Sequence, residues 1–269
     1  MHPPPPTHWK QLANLLDDLS HLPLHTPKDN FHYLIEGLSE LVHATSAFCV
    51  FARKTTPISD RDILNGWRPI EVTYINPTAQ DQKVRKIIEA TIENQDETTH
   101  EGLRAHMPHT GKHRSMLWSE LIPGQRLTES EKYDELFAPM GIIDRMFGIL
   151  NIDPQLEVYF CMDRSTGQEL FDEDDRAFIT MVLSTTWPHT IRYCQSMGFL
   201  EEQECLSPRE QETLELLLQG FTEKEIAAKL GVTPRSAHQY VTIIYRKLKV
   251  NSRAQLMSRW LSPPTYIKA

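Results

Sequence analysis

Thr222-Glu223-Lys224-Glu225-Ile226-Ala227-Ala228-Lys229-Leu230-Gly231-Val232-Thr233-Pro234-Arg235-Ser236-Ala237-His238-Gln239-Tyr240-Val241-Thr242-Ile243-Ile244-Tyr245-Arg246-Lys247-Leu248-Lys249 is the stretch that decides the reading of this chain. Thr222 with Glu225 forms a capping box, which starts a helix by satisfying its orphan amides. Gly231 can adopt the left-handed conformation that stops it. Thr233-Pro234 opens the next helix, because proline at the first helical position gives up an amide that has no partner anyway. That helix runs to about Lys249. Along it Ala237, Val241, Ile244 and Leu248 recur at helical spacing and make one apolar stripe. Arg235, His238, Gln239, Thr242, Arg246 and Lys249 fall on a different face. On the helix before it Ile226, Ala227 and Leu230 face inward, and the small Ala227 lets the two helices cross closely. A helix glued down along one stripe and presenting polar and cationic groups along another has the form a DNA major groove admits.

The punctuation continues on both sides. Ser207-Pro208-Arg209-Glu210 offers a cap, a proline and a capping-box Glu for a helix to about Gln219, with Gly220 as its stop. Ser252-Arg253-Ala254-Gln255 opens a fourth helix through Leu261. Residues 206–262 therefore read as an all-α four-helix domain.

Charge divides the chain at the same place. The whole sequence of 269 residues has a net charge of -8. Residues 205–269 hold ten Lys and Arg against five acids, net +5, while the remaining 204 residues hold 18 bases and 31 acids, net -13. A small basic module on a larger acidic one points to nucleic acid as the partner of the basic end.

Outward from there, residues 1–7 read as a disordered Pro-rich tail, 8–196 as an α+β regulatory domain, 197–205 as a linker and 263–269 as a second tail. Helices are predicted over 8–21, 29–43, 80–95, 128–140 and 171–196, the last opened by Asp172-Glu173-Asp174-Asp175 and kinked at Pro188. Strands are predicted at 46–53, 67–75, 115–121, 142–152 and 156–162, the last two turning at Asp153-Pro154. Residues 97–114 read as a long loop. Helices around about five antiparallel strands, together with the Phe171-Asp172-Glu173-Asp174-Asp175-Arg176 entry into the last helix, resemble a GAF or PAS-type sensor domain.

The run Leu206-Ser207-Pro208-Arg209-Glu210, then Gly220-Phe221-Thr222-Glu223-Lys224-Glu225-Ile226-Ala227, Leu230-Gly231-Val232-Thr233, Val241, Ile244-Tyr245-Arg246-Lys247-Leu248 and Arg253 resembles the LuxR-type helix-turn-helix. The resemblance implies a bacterial transcription regulator that binds a two-fold site on double-stranded DNA as a homodimer. By position, His238, Gln239 and Thr242 would read bases. Thr222, Thr233, Arg235, Arg246 and Lys247 would hold phosphates. The last helix, with Gln255, Leu256, Arg259 and Trp260, would make the dimer contact. A small-molecule effector and RNA polymerase are further candidate partners. The chain departs from the family where Ser236-Ala237-His238 stands for the usual Thr-Val-Lys and Tyr240 for a His, so the base preference is its own.

Other function classes fall away. No GxSxG, GxxxxGK or HExxH motif is present, so neither an enzyme nor a cofactor site is read. Asp17-Asp18 lie in a helix pattern with no strand before them, which argues against a phospho-acceptor receiver domain. A sigma-factor region four would need a helical region upstream in place of this strand-containing one. No stretch is apolar enough to span a membrane. Four scattered cysteines, with no CxxC pair, fit reduced thiols in the cytoplasm, and Cys194 and Cys205 read as inert small apolar residues in preference to a redox switch. His100, His106, His109 and His113 are the residues nearest to a metal set, with Pro108 breaking the helix that would align them; no metal site is assigned. Trp67, Tyr74 and Asp81 are the nearest candidates for an effector pocket.

Overall fold

The computed structural model describes residues 6–55, 62–75, 101–200 and 205–262. The described chain divides into two compact units, one over 6–17 and 32–186 and the other over 18–31 and 187–262.

The first unit is built on a five-stranded sheet. Helices α1 (Pro6–His21) and α2 (Pro27–Leu41) precede strands β1 (Ser46–Lys54) and β2 (Trp67–Tyr74). After α3 (Glu101–His106) come β3 (Arg114–Leu117), α4 (Trp118–Leu121), β4 (Ile142–Asp153), β5 (Leu156–Ser165) and α5 (Glu173–Met197). The strand order is β2-β1-β5-β4-β3 and every pairing is antiparallel. The β4–β5 hairpin turns at Asp153-Pro154-Gln155, where the Asp153 carboxylate accepts from the Gln155 amide at 2.7 Å. Strand β2 lies at an edge, and there the sheet tolerates Pro69, which has no amide to donate; beside it β2 is bulged, with Ile70 the extra residue opposite the Phe51–Ala52 step of β1.

Register assigns the two faces. Phe48, Phe147, Cys161 and Tyr159 share one face with Val50 and Ile149. The opposite face carries Gly148, where α5 crosses so closely that a Cβ would stand 2.4 Å from Leu183 and 3.0 Å from Ile179. A similar approach brings α1 onto α2, with Leu15 against Gly37. Asp172 and Asp175 cap α5 reciprocally through each other's amides, at 3.2 and 2.9 Å. Asp175 also pairs with Arg164 at 3.0 Å, so this acidic run is helix entry and structural ion pair.

Three sequence expectations need correction. Residues 101–109 are not loop: α3 and a 3-10 turn (Met107–His109) form because Leu103, Ala105 and Met107 pack on the sheet core, although the segment has little apolar periodicity. The strand expected over 115–121 ends at Leu117 and becomes a helical turn, whose Glu120 accepts from the Leu117 amide at 2.9 Å. The helix expected over 128–140 breaks into a 3-10 turn (Leu127–Glu129), a π turn (Tyr133–Phe137) and another 3-10 turn (Ala138–Met140). Its capping glutamate is Glu129, which closes on the Arg126 amide, and Leu136 and Phe137 turn into the core. Helix α5 runs through Pro188 without interruption. The helix expected over 80–95 and most of the Pro-rich tail lie outside the described residues.

The second unit holds helices α6 (Pro208–Leu218), α7 (Glu223–Leu230), α8 (Pro234–Lys247) and α9 (Arg253–Leu261). Ser207, Thr222, Thr233 and Ser252 each cap their helix by accepting an amide three residues on. Gly220 and Gly231 carry the positive φ of the two turns, +98° and +65°. Leu214, Leu217, Ile226, Ala237, Val241, Ile244, Leu248, Leu256 and Trp260 form its core. Met197 and Phe199, in the stretch expected as a linker, are buried, and the Leu206 amide donates to the Met197 carbonyl at 3.0 Å.

Candidate functional site

Helix α8 is held as its sequence requires. Ala237, Val241, Ile244 and Leu248 are all buried, whereas Arg235, His238, Gln239, Thr242, Arg246 and Lys249 are exposed. Leu230 of α7, expected inward, is half-buried. The Thr222 and Thr233 hydroxyl oxygens sit at the starts of α7 and α8 as caps, and Thr222 also donates to Glu225 at 2.8 Å. Thr242 donates its hydroxyl proton to the His238 carbonyl at 2.9 Å. The His238 ring meets Glu223 of α7, with Nδ1 3.0 Å from Oε2.

Lys247 stands apart from the other expected phosphate ligands. Its ammonium donates to the Cys205 carbonyl and to Glu210, both at 2.9 Å, and both side chains are largely covered, at 12% and 8% exposure. Burial would raise the Glu210 carboxyl, but hydrogen bonds from Lys247 and the Ser207 amide outweigh it and hold the group below the usual carboxylate range. Lys247 therefore ties α8 to the start of α6, a role its place at the end of a basic helix does not announce. The helix expected at the dimer contact is also engaged within its own chain. Leu256 and Trp260 lie in the core of their own chain, with the Trp260 indole N–H donating to the Leu24 carbonyl at 2.8 Å. Arg259 donates to the Leu248 carbonyl at 2.9 Å, and Gln255 remains exposed. Arg253 clamps the α6–α7 turn through the Phe221 and Leu217 carbonyls.

The sheet unit contains a cavity of about 130 Å³ on the Phe48–Phe147–Tyr159 face. Its wall is mostly apolar and aromatic, including Trp67 and Trp118. Arg145 reaches it but is spent on Asp163, at 2.6 and 2.9 Å, between the Phe48 and Phe137 rings. His106 is the unusual member. It is buried edge-on to Phe147 and Tyr159, and among the described residues neither ring nitrogen has a hydrogen-bond partner. Burial, then the charges of Arg114 and His109, lowers its pKa to about 3, so the imidazole is neutral. The Trp67 indole N–H is likewise without a partner among the described residues. Tyr74 stacks on Phe48 at 5.2 Å, and Asp81 lies outside the described residues.

The histidines weighed as metal candidates have separate surroundings among the described residues. His106 faces the cavity, His109 is exposed, and His113 accepts from the Asn151 amide at 3.1 Å. His100 lies outside the described residues, among which no group of three metal-binding side chains occurs. None of the four cysteines is in a disulfide among the described residues; Cys194 is buried and Cys205 exposed. Among the described residues no helix is long and apolar enough to cross a membrane.

Residues 204–259 match the family model described as bacterial regulatory proteins, luxR family. This segment is a LuxR-family helix-turn-helix domain. The chain is 39% identical over 59 residues to the probable HTH-type transcriptional regulator GfsR of Streptomyces halstedii, covering 22% of this chain and 24% of that protein. Over 57 residues it is 39% identical to the transcriptional regulatory protein UhpA of Escherichia coli, covering 21% and 29%. The chain thus spans about a quarter of the length of these curated relatives. Among solved structures, SdiA in complex with octanoyl-rac-glycerol matches 96% of this chain and 95% of its own, at a TM-score of 0.46 and 15% identity. The VqsR LBD domain of Pseudomonas aeruginosa matches 73% and 100%, at 0.45 and 9%.

Proposed function

We propose that the chain is a cytoplasmic transcription regulator whose LuxR-type domain inserts α8 into the major groove of a two-fold DNA site as a homodimer. The observation that carries this reading is the division of α8 into a buried apolar stripe and an exposed face of Arg235, His238, Gln239 and Thr242, within the segment that matches the luxR family. Gln239 and His238 supply groups able to bond base edges, and Arg235 supplies sequence-independent attraction. The exposed side of α9 around Gln255 is the remaining candidate for the dimer contact, and RNA polymerase is a candidate partner on DNA.

The sheet unit is the regulatory part, of the GAF or PAS type, a reading supported by its antiparallel five-stranded sheet with helices. Its aromatic cavity with the unpartnered His106 and Trp67 nitrogens is suited to a small, largely apolar effector that brings a hydrogen-bonding group. Duplexes selected from a random pool test the output. Gln239→Ala should lower affinity for the selected duplex by about 1–3 kcal/mol and leave a scrambled duplex unaffected. An equal loss on both duplexes would remove Gln239 from base reading.

A further inference from the structure

His238 and Glu223 are far enough apart in sequence to lie on different helices, yet their side chains meet on the exposed face of α8, with Nδ1 3.0 Å from Oε2. Both remain open to solvent, at 66% and 42% exposure. An exposed pair of this kind contributes little to stability, so its consequence lies in what it does to the imidazole. An ionised carboxylate can only accept a hydrogen bond. The shared proton must then sit on Nδ1. In the neutral ring this fixes the tautomer and leaves Nε2 as a lone-pair acceptor.

That choice has meaning in a major groove. Cytosine N4 and adenine N6 present amino donors there, whereas guanine presents only the acceptors N7 and O6. We propose that Glu223 is a specificity-determining positioning residue: it holds His238 with Nε2 as an acceptor, so that the imidazole reads the amino group of cytosine or adenine. Glu223 touches no base itself. It acts through His238, and the inference rests on the reading of α8 as the groove helix.

The test is selection from a random duplex pool with the full chain at pH 8.5, followed by competition binding. The wild type should enrich a two-fold motif with one position per half-site restricted to C or A, and His238→Ala should lose the restriction at that position alone. Glu223→Ala should weaken discrimination there by about threefold to tenfold, the worth of one hydrogen bond. Glu223→Gln keeps an oxygen that can accept from Nδ1–H while removing the charge. It should bind all DNA more tightly and retain the C or A preference. If Glu223→Ala tightens all duplexes alike and leaves the His238 position unchanged, Glu223 is only a surface charge and the proposal fails. Where the restricted pair is C·G, replacing its guanine by 7-deazaguanine should leave the discrimination intact; a loss that depends on His238 would show the imidazole bonding guanine N7, and would overturn the proposal too. If the wild type enriches no motif, the groove-helix reading itself falls and takes the proposal with it.

Discussion

His106 places an imidazole where its proton cannot follow. It sits against Phe147 and Tyr159 with both nitrogens unpartnered among the described residues, and its pKa falls to about 3. In the unfolded chain the same ring has an ordinary pKa of about 6.5. Between those two values the unfolded chain binds the extra proton, so stability is fully present above the upper value and declines as pH falls toward the lower. We expect His106→Phe to remove that decline. Urea unfolding of wild type and variant from pH 7 to 4 should give curves that diverge by up to about 1.4 kcal/mol per pH unit, the wild type losing more. Parallel curves would mean that His106 is hydrated. Sequence alone could not single this residue out. Its neighbours His109 and His113 share its local pattern, and only the fold separates an exposed ring, a ring accepting from Asn151 and a ring in an aromatic cavity.

Helix α8 shows which interactions a sequence discloses. The four caps of the helical unit and the stripe Ala237–Val241–Ile244–Leu248 act within one or two turns, so spacing reveals them. Side-chain ties between distant segments span 37 positions for Lys247 to Glu210 and 236 for Trp260 to Leu24. No periodicity encodes such pairs, and a lysine near the end of a basic helix reads as one more phosphate ligand. The same blindness produced the missed α3 and the broken segment 127–140, where packing on the sheet overrides weak local propensity. Lys247→Ala should therefore act on the fold. It removes a donor from the covered Glu210 carboxylate and should cost about 1–3 kcal/mol in urea unfolding at neutral pH. Glu210 is held below its ordinary range by this pair. The stabilisation it gives is present above that range and lost on acidification, so wild type and variant should converge in acid. A variant as stable as the wild type at neutral pH would show the tie to be idle.

Across the whole molecule, charge changes sign at the LuxR-type domain. The chain carries -8 overall, yet its last 65 residues are basic and contain the LuxR-type domain. Helices α1, α2 and α5 each contribute residues to both compact units. An acidic body attached to a cationic helix face should bind duplex DNA with an affinity that depends strongly on salt, because each neutralised phosphate releases a condensed counterion. The most direct measurement is electrophoretic titration of the full chain on duplex DNA over a series of salt concentrations. The logarithm of the affinity should fall linearly with the logarithm of salt. Arg235→Ala should flatten that slope by about 0.9, one phosphate's share, and Lys247→Ala should leave it unchanged. A full chain that ignores duplex DNA in dilute salt, or binds it with no salt dependence, would contradict the account.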